Sequence, residues 1–449
     1  MKTPRDYQED LISYLINNRR AALWVEMRLG KTPTVIWALK RIPRVRRVLV
    51  LAPNSAIRGW LKELDEEGET DVVVLQGTKT KRKKKLGQKA KWSILNHDGW
   101  RVIPEIGKMH WDVVVLDESA SCIRYPDSQI TGFMLDSFHH AKRRIAMAGR
   151  PDPQNDLLAY WTQMAWAHGG EWMGCNNFYQ FRHRHFINLA YKWRPKSGHR
   201  QKILDQVSKD AYVLRREHVG LDVPKVLEPR YVHLGPRFLR VYREAEERYV
   251  LRLMDGGVEE TQWQLVQYQW LRQLAGGFLK KHLVSSHKLT ELNGLLKGEL
   301  GGEEDQVVIW CAYNHEIDAI VQLLGNTCTW ITGKVPPGER RRRVTAWEAG
   351  EYQYLVAQVK CAETGEDLGM SDTAIYYSLP FAGLTWVQTQ DRILGDLTKS
   401  GVLIAPILCE GTVDEDVWAT LQHQDTQGKR FLDLAHERML ERHGASVVC

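Results

Sequence analysis

The chain has 449 residues, of which 26% are charged, and a formal net charge of +7. Its length allows two or three domains, each with a hydrophobic core of its own. The sequence has no apolar run of about 18 residues and no apolar signal region at its start, so we expect a soluble protein that is not secreted. The seven cysteines are scattered without a C-x-x-C pair, so we interpret them as small buried side chains rather than zinc ligands or disulfides.

The first third of the chain alternates short apolar runs with amphipathic stretches. Segments 34–41 and 57–66 have the spacing of helices, and they lie between runs rich in β-branched residues. This alternation is typical of a parallel α/β sheet. The predicted strands are residues 21–25, 47–52, 71–75, 92–96, 112–116 and 144–147.

Residues from about 155 to 300 differ in character, because they are rich in Trp, Tyr, Gln, His and Arg and show helical periodicity. Strand signals then return at residues 307–312, 328–331, 354–357, 373–378 and 402–408. The sequence therefore predicts two parallel-sheet lobes separated by helices. The predicted boundaries are 1–155 for the first lobe, 156–300 for a helical insert and linker that belongs partly to each lobe, and 301–449 for the second lobe.

A candidate phosphate-binding loop follows the first predicted strand. Residues 26–32 read Glu-Met-Arg-Leu-Gly-Lys-Thr. Backbone amides of Arg28, Leu29 and Gly30 would face phosphate oxygens, Lys31 would reach the β and γ oxygens, and the Thr32 hydroxyl would bind Mg²⁺. The position of the motif's first glycine is occupied by Val25, and the tripeptide Gly-Lys-Thr often occurs by chance. This segment alone therefore does not decide between a phosphate-binding loop and a chance match.

Two adjacent acids, Asp117 and Glu118, follow the buried strand at 113–116. Asp117 would hold Mg²⁺ through water, and Glu118 would polarise the attacking water of an ATPase. Two solvated acids at a strand end are the alternative. We favour the catalytic interpretation, because the pair ends a hydrophobic strand about 85 residues after the phosphate loop.

Nine segments in chain order resemble the motifs of superfamily 2 helicases and translocases, most closely the Swi/Snf-type branch and its compact phage and bacterial members. They are residues 5–8 (Q motif), 26–32 (phosphate loop), 51–55 with Trp60 (Ia), 96–98 (Ib), 117–120 (D-E-x-H box), 148–151 with Gln154 and Asn155 (III), 307–313 (IV), 364–368 with Ser371 and Asp372 (V) and 388–392 (VI).

The resemblance implies two RecA-like lobes that use ATP and Mg²⁺ and act on DNA. It implies that Arg5, Tyr7 and Gln8 bind adenine, and that ATP is also contacted by Gly365, Asp367, Gln388 and Arg392. Lys31, Asp117, Glu118 and Arg392 would be the catalytic residues, with Thr32 and Asp117 serving the metal.

The function that the resemblance implies is an ATP-dependent DNA translocase or helicase acting on duplex or branched DNA in replication, recombination or repair. We expect a monomer in the cytoplasm of a bacterium or a phage-infected cell, with the helical middle as wedge or duplex clamp. Two alternatives remain: an ATP-gated DNA-binding or assembly factor that hydrolyses ATP weakly, and, less favoured, an RNA helicase.

Three positions depart from the family pattern. Ala120 replaces the D-E-x-H histidine, so its coupling role is absent or belongs to another group. Arg150 stands where motif III usually has threonine, and Gly395 occupies the place of the second motif VI arginine. An arginine finger is worth roughly 10³ to 10⁵ in rate. Either a basic residue such as Arg150 or Lys399 substitutes, or hydrolysis is slow.

Two basic segments are candidates for DNA contact, because nucleic-acid affinity comes largely from neutralised phosphates. The first is Lys81, Arg82, Lys83, Lys84 and Lys85, for which a solvated loop is the alternative. The second interleaves aromatic residues with Arg182, Arg184, Lys192 and Arg194, which suits base stacking or a duplex clamp but equally suits a packed insert. Pro53 and Asn54 of motif Ia would also contact DNA. Residues 340–343 are interpreted first as a solvated helix face.

Overall fold

The computed structural model describes residues 3–151, 156–189, 192–221, 224–254, 261–279, 281–300, 302, 305–364, 368–394 and 401–423. The chain divides into two compact units, with the boundary between Leu221 and Asp222. Each unit contains one parallel sheet, and each is described by itself. The predicted α/β class with two parallel-sheet lobes is confirmed.

The first unit is built on a seven-stranded parallel sheet in the order β3-β4-β2-β5-β6-β1-β9. Its strands, with those of a separate hairpin (β7 and β8), are β1 Arg20–Val25, β2 Val48–Ala52, β3 Val72–Val74, β4 Trp92–Asn96, β5 Val113–Leu116, β6 Arg143–Ala148, β7 Phe186–Leu189, β8 Lys192–Pro195 and β9 Ala211–Leu214. The central strands are almost wholly buried, which explains why they read as continuous apolar runs rather than alternating ones.

Helices of the first unit connect the parallel strands and cover the sheet. They are α1 Asp6–Asn17, α2 Lys31–Arg41, α3 Ile57–Glu66, α4 Lys79–Leu86, α5 Ser119–Cys122, α6 Gln129–Leu135, α7 Ala159–His168, α8 Phe178–His185 and α9 His199–Asp210. The six strands predicted in this region are all present. The lysine-rich run is not a loop, because α4 is a helix whose first turn is capped by the Thr78 hydroxyl.

Strand β9 was not predicted. It lies beyond the predicted end of the first lobe and pairs with β1 in parallel register, Ala22 opposite Ala211 and Val25 opposite Leu214. Four residues after a helix give a weak strand signal, and only the open edge of β1 selects their conformation.

The second unit has a parallel sheet in the order β10-β18-β17-β14-β16-β15, with β11 also pairing with β18. Its strands, with the hairpin β12–β13, are β10 Lys225–Val226, β11 Arg230–Val232, β12 Phe278–Leu279, β13 His282–Leu283, β14 Val307–Cys311, β15 Cys328–Ile331, β16 Tyr354–Gln358, β17 Thr373–Tyr376 and β18 Leu403–Cys409. The five strands predicted here are all present.

The helices of the second unit are α10 Pro236–Met254, α11 Thr261–Ala275, α12 His287–Lys297, α13 Asn314–Leu324, α14 Pro337–Glu348 and α15 Gly383–Ile393. Two apolar clusters lie on the two faces of this sheet, one around Ile309 and Tyr377 and one around Trp310 and Trp386. In the part of the chain that is described, no helix is long and apolar enough to span a membrane.

Candidate functional site

The predicted phosphate loop connects β1 to α2 at the carboxyl end of the first sheet. Gly30 precedes α2 with φ 76°, and a Cβ at this position would lie 2.3 Å from Gln8 Nε2. Only glycine satisfies both the left-handed backbone and this close approach. The Lys31 ammonium lies across the loop and donates to the Val25 carbonyl oxygen at 2.7 Å. The turn thus closes on itself, although Val25 replaces the usual first glycine.

Gln8 contacts this loop directly. Its side-chain Nε2 donates to the Leu29 carbonyl oxygen at 3.2 Å, and its Oε1 accepts from the Arg5 amide at 2.9 Å. The first turn of α1 therefore positions Gln8, which is only 5% exposed, against the loop. Tyr7 lies half-buried beside it, and burial raises the pKa of its hydroxyl, so the phenol is neutral at pH 7. The structure thus brings the predicted Q-motif residues and the phosphate loop together.

The paired acids lie at the same edge of the sheet, directly after β5. Asp117 is 6% exposed, and its carboxylate accepts from the Trp60 indole N–H at 2.9 Å and from the Glu118 amide at 2.9 Å. Glu118 is half-buried with φ 48°, an unusual conformation for a residue with a side chain. Such local strain is typical of functional sites.

Sequence reasoning missed the groups that hold the Asp117 carboxylate and backbone. Besides Trp60, His97 contacts Asp117, with ring Nε2 lying 2.9 Å from the Asp117 carbonyl oxygen. Burial lowers the pKa of His97, so the ring is neutral at pH 7 and its N–H donates. Trp60 and His97 belong to segments that resemble motifs Ia and Ib, but sequence spacing contains no signal for contacts 57 and 20 residues apart.

Three further strands end at this edge. The loop after β6 contains Gly149, and a Cβ there would lie 3.6 Å from Lys31 Nζ, so this loop adjoins the phosphate loop. Arg150 follows and is buried. After β9, the amide of the buried residue Arg216 donates to Glu26 Oε2 at 2.7 Å. Pro53 and the exposed Asn54 follow β2. Ligands of parallel α/β sheets bind at the carboxyl ends of the strands.

The donor set at this edge fits Mg²⁺ and nucleotide. Mg²⁺ usually keeps several waters and takes one or two oxygen ligands from the protein. The Asp117 carboxylate and the Thr32 hydroxyl are ligands of this kind. The Lys31 ammonium and the start of α2 offer positive charge and amide donors to phosphates.

The basic helix α4 lies beside the loop that follows β4. Arg82 donates to the Gly77 carbonyl oxygen at 2.8 Å, Lys85 donates to the Val74 carbonyl oxygen at 2.8 Å, and Lys83 forms an exposed ion pair with Glu105 at 2.9 Å. Lys81, Lys83 and Lys84 have exposed side chains. Of the five predicted contacts to DNA, Arg82, Lys83 and Lys85 therefore bind groups of their own unit, Lys83 through an exposed ion pair, and Lys81 and Lys84 are exposed.

The second basic segment forms α8 and the hairpin β7–β8. The Arg182 guanidinium lies 4.4 Å from the ring centre of Trp193, and Arg184 donates to the carbonyl oxygens of Met173 and Gly174 at 3.2 and 2.9 Å. Arg194 is exposed and pairs across the hairpin with Ile187. The backbone of Lys192 lies in β8, paired with Leu189. Residues 172–204 contain seven Lys or Arg and no Asp or Glu, so this surface is strongly positive.

In the second unit, a cavity of about 1050 Å³ lies at the carboxyl ends of β14, β15 and β16. Its walls combine aromatic rings with cations and amides, among them Arg272, Tyr313, Asn314, His315, Lys334 and Phe381. The Arg272 guanidinium lies 5.8 Å from the ring centres of both Tyr313 and Phe381. Sequence reasoning included Tyr313 in motif IV but missed the cavity, because its walls come from segments more than 100 residues apart.

Among the remaining predicted residues, Gln388 and Arg392 lie on α15, half-buried, and the Arg392 carbonyl oxygen accepts from the Leu368 amide at 2.9 Å. Gln154, Asn155, Gly365, Asp367, Gly395 and Lys399 lie outside the described residues.

The family profile described as an SNF2-related domain matches residues 7–274, more than half of the chain. The chain belongs to the SNF2-related family. A second profile, the helicase conserved C-terminal domain, matches residues 287–394. The resemblance inferred from the motifs is therefore confirmed, and family membership supports a helicase-like ATPase core that uses ATP. The phage or bacterial origin remains a prediction.

Two relatives match shorter parts of the chain. The DNA excision repair protein ERCC-6-like 2 of Mus musculus is 27% identical over 198 residues, which are 36% of this chain and 13% of that protein. The DNA repair and recombination protein RAD54-like of Danio rerio is 30% identical over 168 residues, 32% of this chain and 22% of that protein. Each match thus spans less than a quarter of the relative's length.

A solved structure, the Sulfolobus solfataricus SWI2/SNF2 ATPase core in complex with dsDNA, aligns with a TM-score of 0.46 and 17% identity. The alignment covers 99% of this chain and 96% of that chain.

Proposed function

We propose that this SNF2-family protein is an ATP-dependent DNA translocase that acts on duplex or branched DNA during replication, recombination or repair. The observation that carries the proposal is that the Gly30–Lys31 loop and the Asp117–Glu118 pair follow β1 and β5, the two neighbours of β6, at the same edge of one parallel sheet, in a chain of this family. Two relatives are named for DNA repair or recombination, which supports the same class of substrate.

In the proposed reaction, Lys31 binds the β- and γ-phosphates. The amides at the start of α2 bind phosphate oxygens, whose negative charge the positive end of the helix dipole stabilises. Thr32 and Asp117 hold Mg²⁺, which neutralises phosphate charge when it is bound. Glu118 orients the attacking water and accepts its proton. Arg5, Tyr7 and Gln8 bind the adenine ring.

The second unit would complete the nucleotide site with Gly365, Asp367, Gln388 and Arg392. ATP-driven closure and reopening of the two lobes would then advance one lobe along the DNA. This part rests on the family resemblance.

We propose DNA contacts in three positive areas and at Pro53 and Asn54, each area described within its own unit. The first is the exposed lysines of α4, the second is the acid-free segment 172–204, and the third is the cavity with Arg272 and Lys334. In the second area Ile187 and Leu189 are 48% and 49% exposed on the hairpin, beside Arg194. Aliphatic and cationic side chains on one exposed strand suit a wedge at a duplex end, where bases and phosphates are both accessible.

The deciding experiment measures phosphate release by the full chain with no nucleic acid, duplex DNA, forked DNA, single-stranded DNA and RNA. Displacement of a third strand from triplex DNA reports translocation along the duplex. We expect turnover to rise with duplex or forked DNA, together with ATP-dependent triplex displacement. Absence of DNA stimulation, or stronger stimulation by RNA, would contradict the proposal.

A second candidate is an ATP-gated DNA-binding factor, favoured by Ala120 in the place of the family histidine. In that case ATP would change DNA affinity, while phosphate release and triplex displacement would stay at background.

A further inference from the structure

A buried hydrogen bond joins the segment of the paired acids to helix α7. Ser119 follows Glu118 directly, and its hydroxyl donates to Gln163 Oε1 at 2.8 Å. Ser119 and Gln163 are both fully buried. The next residue, Ala120, has no side-chain donor in place of the family histidine, and the exposed Ser121 hydroxyl donates to the Glu118 carbonyl oxygen at 2.8 Å. The Ser119 hydroxyl is therefore the group of α5 that links this segment to Gln163.

The other end of the Gln163 amide reaches the loop after β6. Its Nε2 donates to the Pro151 carbonyl oxygen at 2.7 Å and to the Ala159 carbonyl oxygen at 3.0 Å. A carbonyl oxygen only accepts, so these contacts fix which end of the amide is nitrogen. With donors and acceptor all used inside the protein, any rotation of the amide would leave a buried polar group unpaired, which is costly.

The loop that Gln163 holds also lies against the phosphate loop. A Cβ on Gly149 would be 3.0 Å from Met27 Cγ and 3.6 Å from Lys31 Nζ. Gln163 therefore connects two segments that flank the candidate phosphate site, one with Glu118 and one with Gly149 and Arg150. The two hydrogen bonds that join the segments, at 2.8 and 2.7 Å, are buried, so moving one segment without the other would leave a buried polar group unpaired.

We propose that Ser119 and Gln163 form a relay that couples the segment of Glu118 to the loop 149–151, in the role left open by Ala120. Both are positioning residues: they move with the site and do not contact the reacting atoms. The inference rests on the proposed ATPase site and adds the residues that link its hydrolytic carboxylate to the loop after β6.

The test compares Gln163→Met, which keeps length and removes both polar ends, with Ser119→Ala and with the control Thr162→Val. Thr162 is adjacent on α7 and equally buried, and its hydroxyl donates to the Ile123 carbonyl oxygen at 2.5 Å, with the Arg124 carbonyl oxygen at 3.1 Å, and not to the loop after β6. Thr162→Val is therefore matched for burial and for loss of a buried hydrogen bond. Thermal melting of each variant reports folding.

The first measurement is amide hydrogen exchange at Gly149 and Arg150 and at residues 118–121, with and without a non-hydrolysable ATP analogue. In the parent we expect the analogue to slow exchange in both segments. In Gln163→Met we expect protection at 118–121 to remain, while Gly149 and Arg150 exchange about tenfold faster. Parent-like exchange at Gly149 and Arg150 in Gln163→Met would overturn the relay, whether or not the chain hydrolyses ATP.

The second measurement is DNA-stimulated ATP turnover. For Gln163→Met and Ser119→Ala we expect kcat to fall about tenfold with KM for ATP changed less than about twofold, and Thr162→Val to match the parent. If kcat fell equally in Thr162→Val, the losses would reflect general destabilisation of α7, and the relay would be overturned. A parent that DNA does not stimulate would instead contradict the translocase proposal, and the exchange measurement would still decide the connection.

Discussion

At the scale of single residues, Lys31 and Glu118 have separable roles in the proposed site. In that site Lys31 would be a fixed cation beside the phosphates, so we expect Lys31→Ala to abolish hydrolysis and weaken ATP binding. Glu118→Gln keeps the size of the side chain but not its ability to accept a proton. We expect it to bind ATP and DNA as the parent does and to lose turnover by at least about 10²-fold.

Fluorescent-nucleotide binding and phosphate release, measured on the same preparations, check both variants. Glu118→Gln hydrolysing ATP at the parental rate would show that this carboxylate is not the group that activates water.

The residues around Asp117 show how far spacing alone could define the site. Asp117 and Glu118 were found because two acids ended an apolar strand. The Trp60 indole and the His97 ring were recognised only as parts of motif-like segments, although both donate to Asp117. Their contacts depend on the parallel pairing of β2 with β4 and β5. Local sequence does not specify that pairing.

At the scale of elements, α4 carries three lysines with exposed side chains, Lys81, Lys83 and Lys84. We expect simultaneous replacement of Lys81, Arg82, Lys83, Lys84 and Lys85 by Gln to weaken binding to different DNA sequences by similar amounts. Each lost phosphate contact lowers the slope of log affinity against log salt by roughly 0.7 to 0.9. Because Gln and Lys have similar helix propensities, α4 itself should persist.

Fluorescence anisotropy with duplex DNA at a series of salt concentrations measures this slope. Replacing the exposed Arg341 and Arg342 of α14 by Gln gives a control for loss of charge elsewhere. An unchanged slope in the α4 variant would assign its lysines to a solvated surface without DNA contact.

We expect the base of the β7–β8 hairpin to be sensitive to acid, because it contains a buried histidine. His185 is buried, its Nδ1 lies 3.1 Å from His199 Nδ1, and burial with the nearby His199, Arg184, Lys202 and Lys196 lowers its pKa to about 4. The unfolded chain, with a His pKa of about 6.5, binds this proton at higher pH than the folded chain does. The free energy of unfolding should therefore fall as pH drops from about 6.5 to about 4.

We expect His185→Gln to lower the slope of unfolding free energy against pH in this range by the amount that corresponds to close to one bound proton. Urea unfolding followed by tryptophan fluorescence between pH 7 and 4.5 measures it, with the exposed His139→Gln as the control. Equal pH dependence in the parent and in His185→Gln would contradict the assigned burial of an uncharged ring.

At the scale of the whole molecule, we predict that a basic residue elsewhere completes the proposed ATP site, because Gly395 stands where the family pattern has an arginine. Arg150, buried after β6 in the first unit, is one candidate, and Lys399, outside the described residues, is the other. If either substitutes, its replacement by alanine should lower DNA-stimulated turnover by up to about 10³-fold with little change in ATP affinity, as loss of an arginine finger does. Gly395→Arg should then be neutral or harmful, because it adds a crowded like charge.

Turnover at saturating DNA for Arg150→Ala, Lys399→Ala and Gly395→Arg decides between the two cases. A gain in Gly395→Arg with no loss in either alanine variant would identify a slow ATPase with an empty finger position.

The sequence by itself determined the two parallel sheets and the family, and it predicted the phosphate loop and the paired acids of the proposed site. These features depend on local patterns: buried parallel strands read as apolar runs, and phosphate chemistry requires particular residues at short spacing. Only the tertiary structure decided that β9 completes the first sheet and that Gln163 lies between Ser119 and Pro151. Both depend on which distant segments adjoin, because the edge of a sheet and a buried hydrogen bond exist only once the chain is folded.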